Sequence, residues 1–196
     1  MSGAAAAWLP GGRLHLHHGP IDLIVEVEGK GRRAAHARAA RRFDTVLEEL
    51  AAELPRLRAP DGPPPKGPVA RRMARAVAPF AEVFVTPMAA VAGAVADEIL
   101  GVIAAGPGVT KAHVNNGGDV AFHLTPGSEV QALVAADPPA RARIGAEDPV
   151  RGIATSGWRG RSHSLGIADS VTVLARTAAA ADVAATLIAN AVDLPG

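Results

Sequence analysis

Residues 111–124 read KAHVNNGGDVAFHL, and these two short apolar stretches around Asn-Gly-Gly decide the fold class. Asn-Gly is among the strongest short hairpin signals, because both residues tolerate positive φ angles. The segment therefore predicts two antiparallel strands joined by a tight turn. Alternating apolar residues predict two further strands at 129–135 and 170–176, and helical spacing predicts a closing helix at 178–192.

The chain before this hairpin supplies another strand pair and several helices. Apolar and polar residues alternate over 14–28 around a His-Gly-Pro turn, which indicates a hairpin with one buried face. The spacing of apolar residues predicts helices at 34–54, 69–78 and 88–105. Residues 59–68 hold five prolines and two glycines, a composition that predicts a surface loop.

Composition favours one domain and excludes several classes of partner. With 196 residues, 48% of them hydrophobic, the chain can bury a core of its own, so we predict a single α+β domain over residues 1–196. Its 20 basic and 19 acidic residues give no field for binding nucleic acid. The lack of cysteine removes disulfides and thiolate metal sites. The first residues carry no basic leader, and no apolar stretch reaches the length needed to span a bilayer, so we predict a cytoplasmic protein without a membrane partner.

Two polar, glycine-containing segments are candidates for ligand binding. In Asn115–Asp119, paired glycines would let a ligand approach the backbone, although a plain hairpin turn explains the same residues. Residues 154–161 combine two hydroxyls, glycines and two arginines, which suit a phosphate through hydroxyl and guanidinium donors. A solvated loop is the alternative for the second segment.

The closing helix carries the third candidate. Asp182 and Thr186 are four residues apart and therefore lie on one helix face, with Asn190 continuing the stripe. A carboxylate and a hydroxyl placed in this way offer oxygen ligands to Mg²⁺, while an exposed polar stripe is the simpler explanation. Ser156, His163 and Asp169 do not predict a hydrolase triad, because the strand–elbow context is missing.

Five short motifs follow one another in the second half of the chain. They are Ala-Gly followed by Asp at Ala92, Gly93 and Asp97; Asn-Gly-Gly-Asp at 116–119; Thr-Ser-Gly at 155–157; Ser-Val-Thr-Val at 170–173; and Ala-Asp-x-x-Ala-Thr at 181–186. In this order they resemble the ApbE-like superfamily of FAD:protein FMN transferase relatives. The resemblance covers residues 86–192, and the chain looks like a small branch of that superfamily.

The resemblance implies a T-fold-like antiparallel sheet with helices packed on one face, and a site for FAD or FMN with Mg²⁺. It implies metal ligands at Asp182, at Thr186 and at a main-chain carbonyl near Val91, and a general base at His163. It also implies a protein hydroxyl as FMN acceptor and self-association through sheet edges. We expect the nucleotide to contact Asn116, Gly117, Gly118, Asp119, Thr155, Ser156, Gly157 and Arg159.

Two departures from the family pattern support an alternative function. The family's Lys-Gly-aromatic sequence is replaced by Ala92-Gly93-Ala94, and its His-x-x-Asp-Pro-x-Thr-Gly loop is shortened to His163–Asp169. A cation and a stacking ring are therefore missing at those places. The alternative is a non-catalytic protein that binds or senses a flavin or another nucleotide.

Overall fold

The computed structural model describes residues 3–134, 139–159 and 164–194. The strands in these ranges are β1 (Ala5–Leu9), β2 (Arg13–His18), β3 (Ile21–Glu28), β4 (Lys111–Asn116), β5 (Asp119–Leu124), β6 (Glu129–Val134), β7 (Ala140–Gly145), β8 (Gly152–Ser156) and β9 (Val171–Ala175). Seven of them form one sheet in the order β1-β2-β3-β4-β5-β8-β9, and two form a second sheet, β6-β7. The helices are α1 (Arg32–Ala52), α2 (Leu54–Leu57), α3 (Pro68–Val77), α4 (Val91–Ala104) and α5 (Ala178–Ala191).

Both predicted hairpins form, and every pair in the large sheet is antiparallel. Val25 of β3 lies between Leu14 of β2 and Val114 of β4, and Val114 in turn pairs with Ala121. These side chains share one face, because residues directly opposite each other in a sheet point the same way. They are buried in the core cluster with residues of α1, α3, α4 and α5. The predicted α+β class, with an antiparallel sheet and helices packed on it, is confirmed.

The opposite face of the sheet is covered in part by the small sheet β6-β7. Phe122, Leu124 and Ile153 point away from the helices and form a second buried cluster with Ile144 of β7. The sequence predicted β6 but not its partner β7. This hairpin shields β5 and β8 on the sheet face opposite the helices.

Two element boundaries and one strand differ from the predictions. The sequence assigned residues 154–161 to a loop, whereas β8 extends to Ser156, where it pairs with β9. Strand β1 was not predicted, since its Ala5–Leu9 sequence does not alternate and is exposed along most of its length. The proline-rich segment ends at Gly67, because Pro68 begins α3, where a proline's missing N–H costs nothing.

One apolar segment is longer than the sequence analysis allowed. Pro87–Ala104 is long and apolar enough to cross a membrane by length and composition, but half of it is buried inside the fold. It contains Asp97 and Glu98, and both carboxylates are hydrogen-bonded within the protein. The segment is the central core helix of a globular domain.

Candidate functional site

Helices α4 and α5 each supply an aspartate that caps the N-terminus of the other helix. Asp97 of α4 accepts hydrogen bonds from the Ala178 and Ala179 N–H groups at the start of α5, at 3.0 and 2.9 Å. Asp182 of α5 accepts one from the Gly93 N–H in the first turn of α4, at 3.0 Å. Each carboxylate thus satisfies main-chain donors that have no partner within their own helix. Burial still raises the pKa of Asp97, and the two N–H bonds oppose that rise.

Gly93 lets the two helices approach closely enough for this exchange. A Cβ at position 93 would lie 2.3 Å from the Ala178 carbonyl oxygen, closer than any real contact. The Ala-Gly and Asp motifs that carried the resemblance therefore have a structural role in the helix crossing. This role was not visible in the sequence, because the partners are more than 80 residues apart.

A cleft of about 530 Å³ opens beside this crossing. It brings together most of the residues that the sequence analysis selected for the site. The lining residues are Pro20, Asp22, Met88, Ala89, Val91, Ala92, Asn116, Gly117, Gly118, Asp119, Thr155, Ser156, Gly157, Asp169, Asp182 and Thr186. The closing helix, the diglycine hairpin and the Thr-Ser-Gly segment thus meet at one cavity.

Two carboxyl groups lie in contact in this cleft. Asp119 and Asp182 lie within hydrogen-bonding reach of each other, and a hydrogen bond between two carboxyl groups needs a proton on one of them. Burial and the charge of Asp119 raise the pKa of Asp182 to about 8. Burial raises the pKa of Asp119 to about 6, although the Thr155 N–H donates to its carboxylate. Near neutral pH the pair holds about one proton, since two adjacent carboxylates resist joint ionisation.

The lining side chains are acidic, and the cation that pairs with one of them, Arg159 with Asp169, lies outside the lining. Of the described residues that line the cleft, four are aspartates and none is lysine or arginine. Two of these aspartates, Asp22 and Asp169, were not predicted as site residues. Asp22 precedes Leu23, which pairs with Asn116 in β4. The sheet register therefore places Asp22 beside the diglycine hairpin.

The side chains of two asparagines that precede the diglycine turn hold it in place. Gly117 and Gly118 have φ angles of 66° and 117°, which explains the glycines as turn residues. The Gly118 N–H donates to Asn115 Oδ1 at 2.8 Å, so this donor is used within the turn. The Asn116 side chain donates to the Ala92 carbonyl at 3.1 Å and ties the hairpin to α4.

The two hydroxyl side chains of the Thr-Ser-Gly segment contact other hydroxyl groups of the protein. The Thr155 hydroxyl lies 2.8 Å from that of Thr172, on the sheet face away from α5. Ser156 is buried on the helix side, 3.1 Å from the Ser164 hydroxyl. Arg159 forms an ion pair with Asp169 at 3.0 Å and is not among the lining residues. His163, the predicted base, lies outside the described residues.

Thr186 lines the cleft one helical turn beyond Asp182, as the four-residue spacing predicted. Val91 lines it from the first turn of α4. Asn190 does not line the cleft, because its Oδ1 accepts a hydrogen bond from the Leu165 N–H at 2.8 Å. In the described ranges, no group of three or more His, Cys, Asp or Glu side chains could together hold a metal ion. A cation here would have two carboxylates and a hydroxyl as its protein ligands.

Comparisons with known proteins give the chain's relatives. The chain is 38% identical over 178 residues to a UPF0280 protein of Methanopyrus kandleri, which covers 86% of this chain and 69% of the relative. It is 36% identical over 129 residues to a UPF0280 protein of Methanothrix thermoacetophila, covering 64% of this chain and 52% of the relative. The model of the family described as AbpE bacteria matches residues 6–196. The chain therefore belongs to the AbpE bacteria family.

Proposed function

We propose that this chain is an ApbE-like protein that binds a flavin nucleotide and, with Mg²⁺, transfers FMN from FAD to a protein hydroxyl. The observation that carries the proposal is the cleft in which Asp119, Asp182 and Thr186 meet the diglycine hairpin and the Thr-Ser-Gly segment, with no basic residue in its described lining. The five motifs that resemble the ApbE-like superfamily support it, since four of them contribute residues to this cleft or to the helix crossing beside it.

The charge of the cleft determines how a phosphate could bind. A pyrophosphate would meet four aspartates and would be repelled by those that are ionised. A divalent cation between the aspartates and the phosphate would reverse this repulsion. Nucleotide binding in this cleft should therefore depend on a cation, which is the property the proposal requires.

The donor set fits Mg²⁺. This ion takes oxygen ligands and commonly uses only one or two protein carboxylates, with water and substrate phosphates completing its shell. Asp119, Asp182 and Thr186 are available for this, with Val91 beside them. Asp182 Oδ2 already accepts the Gly93 N–H, which orients the carboxylate. When bound there, Mg²⁺ would neutralise charge on the pyrophosphate and on the leaving phosphate.

The proposed reaction exchanges one phosphorus–oxygen bond for another. The acceptor hydroxyl oxygen bonds to the FMN phosphorus, the bond to the AMP phosphate breaks, and AMP leaves with the bonding electrons. The hydroxyl proton passes to a base, for which His163 is the sequence-based candidate. The backbone of residues 116–118 and 155–157 would orient the substrate from either side of the carboxylate pair.

A second candidate function is non-catalytic binding or sensing of a flavin or another nucleotide. It is favoured by Ala92-Gly93-Ala94, which offers neither the family's lysine nor its aromatic ring. The hydrogen bond between Asp182 and the Gly93 N–H also favours it, because this bond gives Asp182 a structural role that needs no catalytic activity. Both functions use the same cleft.

The test is incubation of the protein with FAD, Mg²⁺ and a mixture of soluble bacterial proteins as acceptors. AMP is measured by chromatography, and covalently bound flavin by fluorescence of denatured protein bands. The transferase predicts both signals and their loss in Asp182→Asn; Asp44→Asn, the same change on the exposed side of α1, serves as control. Mg²⁺-dependent FAD binding without AMP release would reject the transferase and support the binding protein.

The remaining parts of the proposal are a T-fold-like topology, a cytoplasmic location, a protein acceptor and self-association through sheet edges. Among the described residues, β1 and β9 are the edge strands of the large sheet, which supports the last of these. Chromatography with light scattering would measure the oligomeric state directly.

A further inference from the structure

Trp158 lies at the edge of the cleft, in the turn that follows β8. Its preceding residue, Gly157, and its hydrogen-bond partner, Asp169, both line the cleft. The side chain is 50% exposed, although burying an indole would be favourable. A large aromatic surface is therefore exposed next to two residues that line the cleft.

This indole is held in place. Its Nε1–H donates to Asp169 Oδ1 at 3.0 Å, and the Trp158 main-chain N–H donates to the Ala168 carbonyl at 3.1 Å. Gly157 permits this close approach, since a Cβ there would lie 2.3 Å from the Asp169 carbonyl oxygen. An aromatic ring that is already fixed loses little conformational entropy when a ligand stacks on it.

Arg159 places a positive charge over one face of the ring. Its guanidinium carbon lies 5.1 Å from the centroid of the Trp158 ring, and its Nε lies 3.0 Å from the same Asp169 oxygen. An aromatic face next to an arginine suits a planar ring that carries a phosphate. This pair supplies both features that the Ala92-Gly93-Ala94 sequence lacks.

The position also matches the reach of a nucleotide. The Thr155 N–H donates to Asp119, one of the two carboxylates in the cleft, and Trp158 follows three residues later. Three residues of chain span at most about 10 Å. A ligand whose phosphate lies near the carboxylates can therefore extend its ring toward Trp158.

We propose that Trp158 is the surface on which the planar heteroaromatic ring of the bound nucleotide stacks. This inference rests on the proposed function, because it assumes that a nucleotide occupies the cleft. The ring is either the isoalloxazine or the adenine of FAD, and the two are separated by titrating FMN and AMP individually.

The experiment compares Trp158→Leu, Trp158→Phe and Trp8→Leu in the full chain with Mg²⁺. Trp8 is the matched control: it is 64% exposed on β1, five strands from β8 and so about 24 Å away across the sheet. Dissociation constants for FAD, FMN and AMP are measured by calorimetry, and flavin absorption spectra are recorded at saturation. Thermal melts establish that each variant folds.

Stacking predicts that Trp158→Leu weakens FAD binding about 10-fold or more, with Trp158→Phe in between and Trp8→Leu unchanged. Weaker binding of FMN identifies isoalloxazine, and the spectral change on binding should then disappear in Trp158→Leu. Weaker binding of AMP alone identifies adenine. If FAD binds all folded variants equally, the stacking surface is wrong while the proposed function stands. If the wild type binds no nucleotide, the proposed function itself fails, and this inference with it.

Discussion

The shared proton of Asp119 and Asp182 should make the stability of the protein depend on pH. In the unfolded chain both groups ionise near pH 4, whereas in the fold the pKa of Asp182 is raised to about 8. Between these values the folded state binds more protons than the unfolded state, so stability falls as pH rises. Each retained proton contributes a slope of about 1 to 2 kcal/mol per pH unit.

The perturbation is Asp182→Asn. The amide keeps an oxygen to accept the Gly93 N–H and can donate to Asp119, so it replaces the shared proton without a titrating group. Between pH 6 and pH 8, the unfolding free energy of the variant should lose most of the pH dependence that the pair causes. In the absence of a divalent cation, it should be more stable than the wild type at pH 8.

The assay is urea unfolding at pH 6, 7 and 8 in the presence of EDTA, with Asp44→Asn as the control. Asp44 is exposed on α1, so its substitution should leave the wild-type slope intact. A wild type whose stability does not change with pH, or an Asp182→Asn variant that keeps the full slope, would refute the shared proton.

Two further predictions test the helix crossing and the core. Gly93→Ala should destabilise the protein by about 1–3 kcal/mol or more, because its Cβ would meet the Ala178 carbonyl; Gly101→Ala, with only ordinary contacts in the same helix, should be neutral or stabilising in thermal melts. Glu98 bridges Arg42 and Arg72 at 2.8 and 2.9 Å, and despite its burial these partners lower its pKa. Glu98→Gln should therefore cost about 1–3 kcal/mol at pH 7, and the difference should vanish as pH falls below the lowered pKa of Glu98, where the wild-type carboxyl is also neutral. Equal melting of Gly93→Ala and Gly101→Ala, or a Glu98→Gln deficit that persists in acid, would contradict these arguments.

Local sequence patterns predicted most of the fold. The two hairpins follow from alternation and turn residues, and the helix ends follow from prolines and apolar spacing. Strand β1 has no such signal, since alanine favours strands weakly and its Ala5–Leu9 segment is exposed. It forms because its backbone pairs with β2, which is a tertiary effect.

The site was predictable where its residues are neighbours on one element. Asp182 and Thr186 share a helix face by spacing alone, and both line the cleft. Asp22 and Asp169 were missed, because only the sheet register and the turn after β8 bring them there. The capping role of Asp97 was equally hidden, since its partners begin a helix 81 residues later. The contact of the Thr155 hydroxyl with Thr172 was also missed, because strand alternation past Ala154 was not recognised.

The central claim is that the cleft accepts a nucleotide only together with a divalent cation held near Asp119 and Asp182. The most direct measurement is a calorimetric titration of FAD into the protein at pH 7, with Mg²⁺ and separately with EDTA. We predict saturable binding with Mg²⁺, none with EDTA, and none for Asp182→Asn under either condition. Equal FAD affinity with and without Mg²⁺, or no binding in either, would contradict the claim.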